Sequence, residues 1–249
     1  MNNKDKMIAQ FHKVKKKGWV ESRRRNNTGI GKTFEDYVGV VENNIDKPDL
    51  YGFEIKAHRE ESNSYVTLCT KAPIFPYRAN AYLLQKFGTP YEADTPAMKK
   101  LHTSMFVDHK NTHEGKYAFR LRNDRRAKEI RIEVYNLRTQ KLIDDTCGYT
   151  YASLEKIFAK KLKNLFYVSA NRKYIDSTEY FYFTQADIYE QPSFQNFLKL
   201  LVQGKIMYDI RMGCYQSGKN IGKLHDHGSG FRIKPIDLPK LYAKHQKVN

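Results

Sequence analysis

Two acidic residues and a lysine lie close together in the segment KPDLYGFEIKAH, where Asp49 is followed by Glu54 and then by Lys56. The two-residue period of a strand would place Glu54 and Lys56 on one face and turn Ile55 towards the core. Asp49, in the turn just upstream, can fold back towards Glu54. Two carboxylates and the carbonyl oxygen of Ile55 would then form a hard oxygen site of the kind that Mg²⁺ uses, and we expect Mn²⁺ to substitute. The pattern predicts a divalent metal site.

Such a site suits phosphodiester hydrolysis, which needs an activated water, stabilisation of charge on phosphorus and help for the leaving 3′ oxygen. A metal and Lys56 would supply the first two, with the lysine orienting or deprotonating the water or holding the phosphate. A Glu and a Lys on one strand face are also a common solvated pair, so the motif alone fits either interpretation. Glu35 on the preceding helix is a candidate supporting acid, although a favourable contact with the helix dipole explains it equally well.

The charge of the chain points to a polyanionic partner. Its 249 residues include 44 Lys and Arg against 27 Asp and Glu, a formal net charge of +17, which favours nucleic acid first and an anionic membrane surface second. No stretch approaches the roughly 20 apolar residues of a membrane-spanning helix, and the first residues lack the apolar run of a secretory signal. We therefore expect a cytoplasmic protein that binds DNA and no membrane.

The apolar spacing of the N-terminal half predicts one helix around Met7 to Val14 and a second that begins with Thr33 as its N-cap and carries Val41 on its buried face. The segments YGFEIKAHRE and SYVTLCTK read as two strands of a hairpin. Residues from about 72 to 111 carry Pro, Gly and Asn without sustained periodicity, so this region is expected to form long loops with short helical pieces.

The second half alternates strands with helices. The predicted elements are a hairpin over about 117–134, a helix near 153–162, aromatic strands near 165–173 and 179–189, a helix near 193–202 and a strand in KIMYDIRMGCYQ. Together they predict a single mixed α/β domain over residues 1–249, with a central sheet flanked by helices.

The strand in KIMYDIRMGCYQ carries candidate base-reading residues. One face is apolar, and the other presents Asp209, Arg211 and Tyr215. Arg211 would bond guanine O6 and N7, and Asp209 would accept from cytosine N4, although an Asp–Arg pair on a polar strand face is the plainer interpretation. The segment after the strand adds candidates for phosphate and base-edge contacts, namely Lys219, Lys223, His225, Asp226, His227 and Arg232.

Two further motifs invite other functions. The string TGIGKT resembles part of an ATP-binding P-loop, but the required first glycine falls on Asn26, so nucleotide hydrolysis is rejected. Its backbone amides and Lys32 fit phosphate contact at a helix start instead. The HDH string at 225–227 could bind zinc, but it has no local cysteine to complete such a site.

Several separated motifs, in order, resemble the MvaI/BcnI restriction endonucleases, which are related to the mismatch-repair nicking enzyme MutH. These motifs are WVESRRRNNTGIGKTFEDYV, KPDLYGFEIKAH, LCTKAP and DIRMGCYQSGKNIGKLHDHGSGFRI, and the middle of the chain matches poorly. Within the family the resemblance to MvaI is close. It implies the PD-(D/E)xK fold as a two-lobed clamp, with a catalytic lobe roughly at 1–110 plus part of the middle and a recognition lobe roughly at 150–249. It also implies Asp49, Glu54 and Lys56 as the catalytic core, with Glu35 in support.

The implied function is that of a type II restriction endonuclease. The resemblance predicts a monomer that nicks the two strands of duplex DNA in turn at a CCWGG-like site, leaves 5′-phosphate ends and is paired in its host with a cognate DNA methyltransferase. A CCSGG-like target is the near neighbour. The alternatives are a MutH-like enzyme that nicks one strand, and a non-catalytic DNA-binding protein.

Overall fold

A computed structural model describes residues 1–40 and 48–249. The helices are α1 (Asn3–Lys15), α2 (Gly29–Val38), α3 (Ala79–Phe87), α4 (Tyr151–Lys161) and α5 (Phe194–Val202). The strands are β1 (Val20–Glu21), β2 (Phe53–Arg59), β3 (Val66–Thr70), β4 (Thr89–Pro90), β5 (Lys99–Met105), β6 (Asn111–His113), β7 (Tyr117–Asp124), β8 (Glu129–Asn136), β9 (Leu142–Thr150), β10 (Asn164–Ile175), β11 (Thr178–Pro192), β12 (Ile206–Cys214), β13 (Leu224–Asp226), β14 (Gly230–Ile233) and β15 (Tyr242–Val248). The predicted mixed α/β class is confirmed.

The chain divides into two compact units. The first unit contains Met1–Ser64, Lys160–Ser193 and Pro239–Asn249, and the second contains Tyr65–Ala159 and Phe194–Leu238. The chain therefore passes between the units several times, whereas the lobe boundaries drawn from the sequence treat each lobe as nearly continuous. Residues 65–110, which those boundaries gave to the catalytic lobe, fold with the second unit.

The first unit is built on a mixed sheet with strand order β1-β11-β10-β2, to which β15 adds by pairing with β11. One face of this sheet is apolar, with Ile55 and Phe166 at its centre, and it packs against Phe11 of α1 and Phe34 of α2. The rings of Phe34 and Phe166 stack at 6.3 Å. The opposite face carries Glu54 and Lys56, which follows from the alternation of side chains along a strand.

The two N-terminal helices are fixed by different local signals. Helix α1 starts with a capping box between Asn2 and Asp5, which satisfies backbone donors at both positions. The prediction that Thr33 caps the second helix is wrong, because α2 already begins at Gly29. Thr33 is instead fully buried, and its hydroxyl accepts a hydrogen bond from the backbone N–H of Arg23 at 2.9 Å. Helix α2 ends at Val38 with Gly39, which has φ +82°, as its C-cap, and the predicted helical position Val41 lies outside the described residues.

The predicted hairpin of YGFEIKAHRE with SYVTLCTK is wrong. Strand β2 pairs in parallel with β10 in the first unit, whereas β3 pairs antiparallel with β14 in the second. Both strands exist, but their partners come from more than 100 residues further along the chain. Alternation along a strand reports which face is buried, and it carries no information about which distant strand supplies the hydrogen bonds.

The second unit contains a sheet of order β3-β14-β12-β5-β4, with β13 paired to β12, and a separate sheet of order β6-β7-β8-β9. Strand β12 is central, because it pairs with β5 on one side and β14 on the other. The prediction of long loops with short helical pieces over residues 72–111 is confirmed by the short helix α3 and is wrong where the strand β5 lies. Short helices are stabilised mainly by tertiary packing. Burial of Leu83 and Leu84 therefore stabilises α3 more than its intrinsic helix propensity does.

Other predicted elements are confirmed. The hairpin of β7 and β8, the aromatic strands β10 and β11 and the helices α4 and α5 all form close to their expected bounds. Within the described ranges 1–40 and 48–249, no helix is both long and apolar enough to span a membrane.

Candidate active site and base-reading face

A two-residue turn brings Asp49 beside Glu54. Leu50 and Phe53 exchange both backbone hydrogen bonds, at 3.1 and 2.9 Å. Tyr51 and Gly52 between them have φ values of 50° and 85°, the pattern of a type I′ turn, in which both central residues are left-handed. Asp49 and Glu54 flank this closed pair, so they become cross-strand neighbours. Glycine at position 52 supplies the more extreme angle without a Cβ penalty.

The side chains at this turn are held by short contacts. The Oδ2 atom of Asp49 accepts a hydrogen bond from the backbone N–H of Ile55 at 2.7 Å. The Nζ atom of Lys56 donates to Oε1 of Glu54 at 3.3 Å, and both side chains are 32% exposed. The turn and the start of β2 thus bring together the carboxylates of Asp49 and Glu54 and the ammonium group of Lys56 at a solvent-accessible surface.

The pKa of Asp49 reflects a partly buried carboxyl group with a second acid nearby. It is raised above 3.8, first by partial burial of the carboxyl group and then by repulsion from Glu54, against the lowering effects of the Ile55 N–H and the Lys56 charge. A divalent cation between the carboxylates would relieve this repulsion. Among the described residues no group of three or more His, Cys, Asp or Glu side chains could hold a metal ion. A cation here would have two carboxylates and the carbonyl oxygen of Ile55 as its protein ligands and would complete its shell with water and phosphate, as Mg²⁺ commonly does.

Buried aromatic rings flank the carboxylates on the same face of the sheet. Tyr167 is the register partner of Lys56 on β10, and its ring stacks on His58 at 4.3 Å. Tyr242 is 8% exposed, and the charge of Glu54 contributes to a rise in its pKa, after burial. Low polarity beside a carboxylate strengthens its attraction for a cation. Sequence reasoning missed these residues, because Tyr242 and Tyr167 join the site only through long-range strand pairing.

Two further candidates from the sequence lie on α2. Glu35 is half-buried, and its Oε1 lies 3.7 Å from the point where a Cβ on Gly31 would sit, so its carboxylate points back along the helix. Lys32 forms an ion pair with Asp36 one turn later, at 2.9 Å. That pair holds the ammonium group close to the helix. The support of the metal site by Glu35 and the phosphate contact of Lys32 stay predictions.

The reading face, defined as the side of β12 that carries Asp209, Arg211 and Gly213, belongs to the second unit. Oδ2 of Asp209 accepts from Nε of Arg211 at 2.6 Å and from Nε of Arg232 at 2.8 Å. Oδ1 of Asp209 accepts from the hydroxyl of Ser104 at 3.2 Å. One nearly buried carboxylate therefore orients two guanidinium groups from two strands.

The two arginines differ in how much of the guanidinium is available. The side chain of Arg211 is 49% exposed, whereas that of Arg232 is 11% exposed. Arg232 also donates to the carbonyl of Gly228 at 2.9 Å and to the hydroxyl of Thr67. Its pKa is lowered by burial and then by repulsion from Arg211. Arg211 is the group that can reach a ligand, and Arg232 helps to fix the carboxylate that orients it.

The segment after β12 places rings and lysines beside the reading face. Tyr215 stacks on His225 at 4.4 Å, and His225 meets His227 edge-on at 4.3 Å. Lys219 and Lys223 lie on an exposed loop closed by backbone hydrogen bonds between residues 215 and 222–223. This arrangement suits phosphate contact from the loop and base contact from the rings.

Asp226 has both carboxylate oxygens engaged within the protein. Oδ1 accepts from the backbone N–H groups of Gly228 and Ser229 at 3.0 and 2.7 Å, and Oδ2 accepts from the amide of Asn80 at 2.8 Å. Asn80 is buried and accepts from the Tyr208 hydroxyl at 3.0 Å. The carboxylate therefore holds the bend between His225 and Arg232, and the base contact predicted for it stays a prediction.

Two residues of the region 72–111, which the sequence predicts to form mainly loops, also line the reading face. His102 is the register partner of Arg211, and its ring lies 6.1 Å from that of His227. The pKa of His102 is lowered by partial burial and by the nearby positive charges of His227 and Arg211. The hydroxyl of Tyr91 lies against Gly213, where the Cβ atom of any other residue would be. A larger residue at position 213 would therefore displace the Tyr91 ring.

Comparisons with known proteins identify the family and the fold. The profile of the MvaI/BcnI restriction endonuclease family matches residues 8–242. The solved structure "Restriction endonuclease MvaI-cognate DNA substrate complex" is similar, with a TM-score of 0.86 and 32% identity over 98% of this chain and 97% of that one. "Restriction endonuclease MvaI in the absence of DNA" gives a TM-score of 0.66 at 32% identity over 100% and 98%. No curated protein sequence matches.

The family profile spans nearly the whole chain, and the similarity to the solved structures extends over nearly the full length of both proteins. The fold is accordingly that of the MvaI restriction endonuclease, and the class of enzyme follows from the family. The chain belongs to the MvaI/BcnI restriction endonuclease family and is a type II site-specific deoxyribonuclease.

Proposed function

We propose that this enzyme hydrolyses phosphodiester bonds of double-stranded DNA with Mg²⁺, using Asp49, Glu54 and Lys56 as its catalytic residues. The observation that carries the proposal is the type I′ turn at Tyr51 and Gly52, which sets two carboxylates side by side next to an ammonium group. The pKa of Asp49, which is raised first by burial and further by repulsion from Glu54, fits a site built for a cation.

Asp49 and Glu54 would hold the ion, with the carbonyl oxygen of Ile55 as a third ligand. Mg²⁺, or Mn²⁺ in its place, supplies positive charge against the scissile phosphate and acidifies the attacking water. Lys56, whose Nζ lies 3.3 Å from Glu54, can orient that water or donate to a phosphate oxygen. The buried rings of Tyr167 and Tyr242 restrict bulk water behind the carboxylates, which strengthens these charge interactions.

The target we propose is a CCWGG-like site. Arg211 presents an exposed guanidinium held by Asp209, the geometry that suits a bidentate contact with guanine. The similar solved structure of MvaI is titled as a complex with cognate DNA, which supports duplex DNA as the substrate. A CCSGG-like site is the competing assignment, and the two differ only at the central base pair.

We further propose a monomer that nicks the two strands in turn and leaves 5′-phosphate ends. It would act in the cytoplasm, and its host would carry a cognate DNA methyltransferase that protects the same sites. Family membership supports these points. A MutH-like enzyme that nicks only one strand is the second candidate, because the catalytic motif would be the same.

One digestion tests the proposal. Supercoiled plasmid of known sequence is incubated with the enzyme and Mg²⁺, in parallel with Mn²⁺ and with EDTA, and the ends are mapped by sequencing. We expect nicked circles that become linear DNA, cut at CCWGG with 5′-phosphates, and no cleavage in EDTA. Accumulation of nicked circles alone would favour the MutH-like alternative. Cleavage that persists in EDTA would refute metal dependence.

A further inference from the structure

Trp19 is the only tryptophan of the chain, and its side chain is 41% exposed in the first unit. Tryptophan is on average among the most buried residues, so an exposed indole in a well-packed unit calls for a use. A groove of about 760 Å³ opens beside it. Its lining residues are His12, Lys15, Lys16, Gly18, Trp19, Tyr182 and Asn249.

The groove combines aromatic rings with cations. The ring of Tyr182 lies 5.8 Å from the Trp19 ring, tilted by 44°. Lys15 and Lys16 lie in its lining, and outside the lining the Nζ atom of Lys173 lies over the indole, 4.5 Å from its centre. Exposed rings interleaved with lysines are the composition by which proteins hold single-stranded nucleic acid, because unpaired bases stack on the rings while the phosphates meet the cations.

The charge around the groove is organised to attract an anion. The ammonium group of Lys15 is fixed by donating to the carbonyl oxygen of Thr184 at 2.6 Å, and Lys16, the C-cap residue of α1, is exposed beside it. Glu179, an acid on the neighbouring strand, is already neutralised by two hydrogen bonds from Arg59 at 2.8 and 2.9 Å. An anionic ligand would therefore meet lysines here rather than a free carboxylate on that strand.

The groove is separate from the active site. On β10, Lys173 lies six residues beyond Tyr167, the register partner of Lys56. At 3.3 Å per residue this separation is roughly 20 Å. We propose that the groove binds a single-stranded segment of nucleic acid, with one unpaired base against the rings of Trp19 and Tyr182 and its phosphate on Lys16. Bases inside a duplex are already stacked on their neighbours, so a double strand could not use the indole in this way.

Because Trp19 is the only tryptophan, its fluorescence reports on the groove alone. The full-length protein is titrated with an oligothymidylate of eight nucleotides, with heparin as a polyanion that lacks bases, and with an unrelated duplex of the same length. We expect oligothymidylate to quench the emission strongly and saturably, and heparin and duplex to quench it weakly. Equal quenching by heparin would overturn the stacking assignment, and stronger quenching by the duplex would overturn the preference for single strands.

Anisotropy of a labelled oligothymidylate gives a second measurement that does not depend on tryptophan. Stacking of one base predicts that Trp19→Ala weakens binding roughly 5- to 150-fold, and that Trp19→Phe restores most of the affinity. Lys16→Gln should weaken binding more than Lys13→Gln, since Lys13 is an exposed lysine on the same helix that does not line the groove. All four variants should cleave plasmid as the native enzyme does. Unchanged oligothymidylate affinity in Trp19→Ala would refute the site, whatever the outcome of plasmid cleavage.

Discussion

The carboxylate of Asp49 accepts a hydrogen bond from the backbone N–H of Ile55 at 2.7 Å, across a turn of only two residues. This bond locks the first acid of the motif onto the strand that carries the second. The carboxylate is thus oriented before any cation or DNA arrives, and its remaining lone pairs stay free for a ligand.

Replacing Asp49 by Asn should separate catalysis from DNA binding. The amide oxygen can still accept from Ile55, but the charge that holds a cation is lost. Loss of several kcal/mol of charge stabilisation predicts cleavage slower by roughly 1000-fold, with DNA affinity little changed. Plasmid cleavage and electrophoretic mobility shift measure the two properties. Asp176→Asn, in an exposed turn, serves as the charge-matched control and should cleave normally. Near-normal cleavage by Asp49→Asn would exclude this metal site.

The raised pKa of Asp49 predicts how stability depends on pH without metal. A folded-state pKa above 3.8 means that the folded protein binds the proton more tightly than the unfolded chain does. The ionised carboxylate therefore destabilises the metal-free protein as pH rises through this pKa. In EDTA, Asp49→Asn should melt at a higher temperature than the native protein at pH 7, and the difference should vanish near pH 3.

Adding Mg²⁺ should reverse that order at pH 7. A cation that binds only the folded state stabilises it by mass action, so the melting temperature of the native protein should rise with Mg²⁺ concentration while that of Asp49→Asn stays constant. Thermal scans over a magnesium series measure both. If the melting temperature of the native protein did not change with Mg²⁺ concentration, the proposed metal site would be contradicted.

Arg211 and Lys219 should affect DNA binding in different ways. Arg211→Ala removes the exposed guanidinium held by Asp209, so discrimination between cognate and altered sites should fall by roughly 1–3 kcal/mol. Lys219→Ala, on the exposed loop, should weaken binding to all sequences alike and reduce the slope of log K against log salt by about 1. Competition binding at several salt concentrations distinguishes the two. A uniform, salt-sensitive loss in Arg211→Ala would make it a phosphate contact.

Asn80 should act on target reading without touching DNA. Asn80→Ala removes the acceptor that Asn80 offers to the buried Tyr208 hydroxyl and the donor to one oxygen of Asp226, at a cost of roughly 1–3 kcal/mol in the free energy of unfolding. The bend from Asp226 to Ser229 would loosen, and cognate cleavage should slow more than non-specific binding weakens. Urea unfolding and competition binding measure these effects. Asp226→Asn, which keeps an acceptor for the Gly228 and Ser229 N–H groups, should be milder. Equal losses of specific and non-specific binding would contradict a positioning role.

Much of the architecture follows from the sequence where the signal is local. The apolar period of α1 and α5 and the alternation of β7, β8 and β12 place these elements correctly. The motif around Glu54 is also local, since a tight turn and one strand suffice to assemble it. Thr33 was misjudged because a buried hydroxyl that accepts a backbone hydrogen bond has the same sequence signature as an N-cap.

The remainder depends on pairing between distant segments. Strand β5 shows no clear alternation, yet it lies beside β12 and supplies His102 and Ser104 to the reading face. Its strand conformation is stabilised by pairing with its neighbours in the sheet. Those neighbours are distant in sequence, so the local residue pattern does not predict the strand. Tyr242 and Tyr167 escaped notice for the same reason, and so did the part that Asn80 plays in holding Asp226.

The two-residue turn also has an evolutionary consequence. The proposed cleavage chemistry is encoded in one short stretch of chain, so it can be inherited or lost as a single piece. The reading face is assembled from β3, β5, β12 and β14, which lie far apart in sequence. Under the proposed roles, substitutions scattered over much of the second unit would alter which DNA is cut and would leave the turn that carries the cleavage chemistry unchanged.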